Sequence, residues 1–146
     1  MTRRRGDVRH EARESALQML YEWEIGGADV DHLVATSWAI QARPLDVDRD
    51  ALAGALVRGT IARMAEIDAL IAAAAEHWRL ERIAVIDRLI LRMAVFELIA
   101  QPDTPRAVVI DEAVELAKRF SSADASRFVN GVLDGITRRL DAPAGS

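Results

Sequence analysis

The residues of this chain best equipped for chemistry are the five arginines of its first thirteen positions, Arg3, Arg4, Arg5, Arg9 and Arg13, with His10 among them. Guanidinium groups present fixed forks of donors that match phosphate oxygens, so a cluster of them points to a polyanion rather than to a reaction. Asp7 and Glu11 leave this segment at +3, whereas the whole chain stands at −4, so the remainder carries −7. A basic arm on an acidic body is a pattern met in nucleic-acid binding. At helical spacing Arg9 and Arg13 share one face of a first helix and present their guanidiniums to phosphates or bases. Cations at a helix N-terminus oppose its dipole, and an external anion would relieve them. The plainer reading of the same residues is a solvated charge run at a helix start.

Catalytic patterns do not emerge. His10, His32 and His77 are scattered, and neither paired Glu-x-x-His, His-Glu-x-x-His, a Gly-rich phosphate loop nor Gly-x-Ser-x-Gly occurs. The absence of cysteine excludes a disulfide framework, a thiolate-ligated metal and a thiol nucleophile. Glu22 with Glu24, and Asp111 with Glu112 and Glu115, read as solvated helix-face carboxylates. We therefore expect neither an enzyme nor a cofactor or metal. Phe120 and Phe128 stand at spacings that suit a core as well as a base-stacking platform, and Asp124 reads as a helix N-cap. Asn130-Gly131, both poor helix formers, suggests close helix approach over Gly131.

These residues must be positioned by helices. At 146 residues, 51% of them hydrophobic, the chain is long enough to bury a core, and its aromatic content of 5% and its alanines speak against sheets. Ala12, Ala16, Met19, Leu20 and Trp23 mark a stripe from Arg9 to Ile25, which Gly26-Gly27 ends. Asp29 is placed to cap a second helix that closes before Pro44. Asp48–His77 supports one long helix or two, with Gly54 and Gly59 as candidate breaks. Ile83–Ala100 is apolar nearly all round, the mark of a central helix, so Asp87, Arg88, Arg92 and Glu97 must find packing gaps or a partner surface. Thr104-Pro105 has the order of an N-cap and a first-turn proline, and the final helix spans Asp124–Leu140. The expectation is all-α, six to seven helices in two three-helix bundles divided near Trp78–Arg82, with a flexible arm at 1–8, bundles at 9–78 and 79–140, and a disordered tail at 141–146. No stretch approaches the 18 or so apolar residues of a membrane span, and no apolar segment follows Arg3–Arg5 as in a secretory signal, which points to the cytoplasm.

Three runs in the second half are distinctive: Ile86-Asp87-Arg88-Leu-Ile-Leu-Arg92-Met-Ala-Val-Phe96-Glu97-Leu98, Asp111-Glu112-Ala-Val-Glu115-Leu-Ala-Lys118, and Arg127-Phe128-Val-Asn130-Gly131-Val-Leu-Asp134. With Arg9-His10-Glu-Ala-Arg13 through Tyr21 and Trp23, they resemble the NusB transcription antitermination family in collinear order over about residues 9–140. The resemblance implies two three-helix bundles packed crosswise. It also implies a binding role without a cofactor. Members bind boxA, a single-stranded RNA element of ribosomal RNA leaders, jointly with the ribosomal protein NusE, and through it join RNA polymerase and other Nus factors to suppress termination. Carried over by position, RNA contacts fall on Arg9, His10, Arg13, Phe120, Asp124, Arg127 and Phe128, and NusE-facing positions on Tyr21 and Asp87. Where some relatives have three consecutive arginines this chain reads Arg9-His10-Glu11, which shifts charge toward Arg3–Arg5. The alternative function is a helical protein–protein module, or a homodimer, with little RNA binding of its own.

Overall fold

A computed structural model of the protein describes residues 5–40 and 46–141, and the side chains of 6–36 and 46–141. Among the described residues there are seven α-helices and no strand: α1 Arg5–Gly26, α2 Val30–Ile40, α3 Val47–Ala62, α4 Met64–Ala74, α5 Val85–Ala100, α6 Arg106–Phe120 and α7 Ala123–Asp141, with a 3-10 turn at Leu80–Arg82. The fold is all-α, as the periodicities require. Residues 5–8, expected in a flexible arm, are the first turn of α1, and Asp141 is the last residue of α7. Residues 1–4 of the arm and 142–146 of the tail lie outside the described residues.

The chain forms two compact units, one ending at Ala62 and the other beginning at Arg63. The first unit packs α1 on α2 and α3. Ala12, Ala16, Met19 and Leu20 are buried as the stripe predicts. Gly27, at φ +66°, takes the left-handed conformation that ends α1 and donates its N–H to the Trp23 carbonyl at 3.2 Å. Asp29 caps α2 through the His32 N–H at 3.1 Å, and Asp46 caps α3 through the Arg49 N–H at 3.0 Å. Gly54 lets α2 and α3 approach, because a Cβ there would stand 3.0 Å from Cγ1 of Val34.

The second unit centres on α5, which packs against α4, α6 and α7. Its run Leu89–Leu98 is buried throughout, which fits a helix without a polar face. The division near Trp78–Arg82 is corrected: α4 packs on α5 and α7, so the second unit has four α-helices and begins fifteen residues before Trp78, at Arg63. Two polar ties hold α4 there. Arg92 of α5 donates bidentately to Asp68 at 2.8 and 3.0 Å, and Arg139 of α7 donates to the Ala73 carbonyl at 2.8 Å. The break between α3 and α4 falls at Arg63, φ −109° and ψ 21°, and at neither glycine.

Three local expectations shift. Pro105, not Thr104, is the cap residue of α6, its carbonyl accepting from Val109 N–H at 3.2 Å, while Thr104 is buried. Close approach in α7 occurs over Gly135, where a Cβ would meet that of Ala74 at 3.7 Å, whereas Gly131 is exposed and has nothing within 4 Å of that position. The cap of α7 is Ser122, whose Oγ accepts from Ala125 N–H at 3.0 Å. That leaves Asp124 exposed in the first turn of α7, outside the cap.

Candidate nucleic-acid interface

In the first unit the arginine-rich segment is helical from Arg5 onward. Arg3 and Arg4 lie outside the described residues. Arg9 is half-buried and Arg13 is 4% exposed, so the shared outward face expected of the pair is corrected: Arg13 belongs to the interior of its unit. The reason is visible in its neighbours, since Ala12 through Leu17 form an unbroken buried run against α3 and α2. His10 directs Nε2 to the Glu14 carboxylate at 3.0 Å, and Glu11 lies 3.8 Å from Arg49 of α3, which also holds Asp50 at 3.1 Å. Much of the charge counted in this helix is thus engaged inside the unit, while half-buried Arg9 and His10 keep part of their side chains exposed. Tyr21, further along α1, is 39% exposed, as a partner-facing side chain needs to be.

In the second unit the α6–α7 junction gathers most of the remaining positions. Phe120 closes α6 at 36% exposure with the Arg119 guanidinium 5.2 Å from its ring centroid. Asp124 and Arg127 are exposed and pair across one helical turn at 3.3 Å. Phe128 is half-buried, and its ring meets that of Trp78 edge to face, centroids 6.0 Å apart and planes at 68°. Phe128 is therefore neither a full core residue nor an open platform; one face is packed and the rest borders a cleft.

That cleft, about 250 Å³, is lined by Trp78, Arg82, Ile83, Asp87, Asp124 and Phe128 among others. It brings Asp87 together with Asp124 and Phe128, positions that the family resemblance assigns to different partners. Phe120 and Arg127 do not line it. Asp87, expected to reach a surface, is 8% exposed, and no donor among the described residues reaches its Oδ1. A carboxylate oxygen left in this state is costly, because burial strips its water without supplying a donor. Trp78 and Arg82 were not singled out in the sequence. The available signal was a large aromatic in the short connection between the apolar helix and its predecessor, where nothing in the periodicity calls for one. Among the described residues no group of three His, Asp or Glu is arranged to hold a metal ion, and no helix is long and apolar enough to cross a membrane.

The first unit carries arginine and histidine on one helix, and the second, by itself, an aromatic cleft with carboxylates. Comparison with known proteins gives the family. A model of the NusB family matches residues 10–138. The transcription antitermination protein NusB of Koribacter versatilis is 45% identical over 92% of this chain and 92% of its own length, and that of Sorangium cellulosum is 46% identical over 91% and 94%. Among solved structures, a NusB crystallised with NusE in complex with dsRNA is 28% identical at a TM-score of 0.81, covering 91% of this chain and 98% of that one. The solution structure of NusB from Aquifex aeolicus gives 27% and 0.79, covering 95% of each. Matched along nearly its whole described length in both sequence and fold, the chain belongs to the NusB family.

Proposed function

We propose that this protein binds boxA-type single-stranded RNA together with NusE and acts in the cytoplasm as a transcription antitermination factor, reaching RNA polymerase and other Nus factors through that complex. It works by binding alone, with no chemical step and no cofactor. The observation that carries the reading is the α6–α7 junction: an exposed Phe120, an Asp124 released from capping by Ser122, and a Phe128 ring at the edge of a cleft. Sequence-selective recognition of single strands needs stacking surfaces and acceptors for base edges, and this junction supplies both. Arg9 and Arg127 supply charge for phosphates, with His10 beside Arg9 on the same helix. Arg13 supports the reading indirectly, by holding α1 in its unit. Tyr21 and the cleft-lining Asp87 are the NusE-facing residues.

Fluorescence anisotropy tests this with a boxA-like RNA and a scrambled control of equal length, each with and without NusE. Tighter binding of the boxA-like strand, strengthened by NusE, is the expected result. Equal affinity for both strands under both conditions would overturn the reading.

A further inference from the structure

We infer that another cavity of the second unit, where α7 passes the end of α4, holds backbone phosphates of an RNA strand whose bases are read at the α6–α7 junction. This rests on the RNA-binding reading above and extends it to residues that the family resemblance leaves without a role. The cavity measures about 430 Å³ and is lined by Ala74, Glu76, Gly131, Gly135, Arg138 and Arg139. All of them belong to the unit that begins at Arg63. Gly131, Gly135 and Arg138 follow Phe128 along α7 at steps of three and four residues, which places them on the face of the helix that carries Phe128. Between Arg127 and Arg138 the helix rises about 16 Å, so a strand leaving the junction along α7 meets this cavity.

Two observations point to an anion from outside the chain. The first is charge. Arg139 gives one donor to the Ala73 carbonyl at 2.8 Å, and the remaining N–H groups of its fork stay available. Arg138 stands 3.8 Å from Asp134, too far for a hydrogen bond, and its side chain is 74% exposed. Against these two guanidiniums the lining sets a single carboxylate, Glu76, so the cavity is net positive on a chain whose net charge is −4. The second observation is Gly131. It is exposed in the interior of α7, and a Cβ there would meet nothing within 4 Å. Such a glycine weakens the helix relative to alanine with no packing gain inside the chain, whereas a bare backbone lets a ligand come close. Arginines in a last turn also suit the helix dipole, yet that accounts for neither the glycine nor the cavity. A helix of a protein partner is the competing occupant. Among the described lining residues Ala74 alone brings an apolar side chain, so a helix would bury little apolar surface there, while phosphates need only the donors.

The test uses the full chain, the boxA-like RNA, and the same RNA carrying an oligouridylate flank at one end or at the other. One of the two flanks should tighten binding about tenfold, in line with one charge-assisted contact, and an oligoadenylate flank should serve as well because backbone contacts carry no sequence information. Arg138→Ala should remove that gain and flatten the salt slope of the flanked RNA by about 0.7, leaving the unflanked RNA, NusE affinity and helicity unchanged. Arg138→Lys should restore most of the gain. Gly131→Leu, which fills the groove from an open position, should abolish it, and Gly131→Ala should raise the melting temperature. No gain from either flank, or a gain that survives Arg138→Ala, would overturn the inference while leaving the RNA-binding reading standing. Loss of NusE affinity in Gly131→Leu with the flank gain intact would instead assign the groove to a protein. Wild-type protein that binds no boxA-like strand, flanked or unflanked, would defeat the underlying reading itself.

Discussion

Helix α1 and the α5–α7 region place polar groups in opposite ways. Helix α1 buries Arg13, Glu14 and Ser15 in succession and shares Glu11 with Arg49 of α3, so its charges are largely engaged inside its own unit. Helix α5 buries an apolar run with Arg92 locked to Asp68, and then leaves Asp87 Oδ1 beside a cleft without a donor among the described residues. The first region counts as strongly charged yet offers little of that charge. The second counts as apolar yet holds an unmet acceptor. The lesson is that a charge count says how many ionic groups a segment has, whereas packing decides which of them are engaged inside the unit.

Four measurements sharpen or break this contrast. The largest effect belongs to the packed side of the second unit. Asp68→Ala leaves Arg92, a buried guanidinium, without its bidentate partner, and urea unfolding should show a loss of about 2–3 kcal/mol, set below the full cost of breaking a buried pair because Asp68 is partly exposed. An unaltered midpoint would mean that the pair does not hold α4 in the unit.

Next comes Phe128→Ala, which removes a ring that both packs on Trp78 and borders the cleft. RNA affinity should fall by about tenfold, worth about 1.4 kcal/mol and within the usual range for one stacked base, and the melting temperature should fall with it. A lower melting temperature at constant RNA affinity would make Phe128 a packing residue alone.

Capping gives a smaller pair of effects. Ser122→Ala should destabilise the protein by about 1 kcal/mol, because the Ala125 N–H loses its acceptor. Asp124→Asn should leave stability alone and alter the boxA-to-scrambled ratio by a few fold. If Asp124→Asn destabilises the fold and leaves the ratio unchanged, its role is local and the base-reading site lies elsewhere.

The smallest change is expected in α1. For each single-strand phosphate neutralised, the affinity of RNA falls by about 0.7 log units per log unit of salt, so Arg9→Ala should flatten the slope by about that amount. Arg13→Ala should leave the slope unchanged and lower the melting temperature, since its side chain is buried. Equal slope changes in the two variants would erase the distinction drawn between an offered and an engaged arginine.

Helices were legible wherever one face alternates with another over three or four turns. The stripe of α1, the cap at Asp29, the stop at Gly26-Gly27 and the apolar character of α5 all follow from side chains within a few residues of each other. The candidate site was legible by type. Phe120, Asp124, Arg127 and Phe128 do gather at one helix junction. Exposure was not legible, because Arg9 and Arg13 read alike four positions apart and only the packing of α3 and α2 on α1 separates them. The choice between Ser122 and Asp124 as cap was equally closed, since two adequate capping residues stand two positions apart and the start of the helix decides.

By itself the sequence determined the all-α class, the helix stripes, the basic first segment and, through its three collinear runs, membership in the NusB family. Only the tertiary structure decided that α4 joins the second unit, that Gly135 and not Gly131 meets α4, and that Trp78, Asp87 and Phe128 share one cleft. The physical reason is range. Periodicity and capping act over a few residues, whereas Trp78 and Phe128 are fifty positions apart in the chain, and their contact exists only because α5 and α7 pack together and bring the turn before α5 to the start of α7.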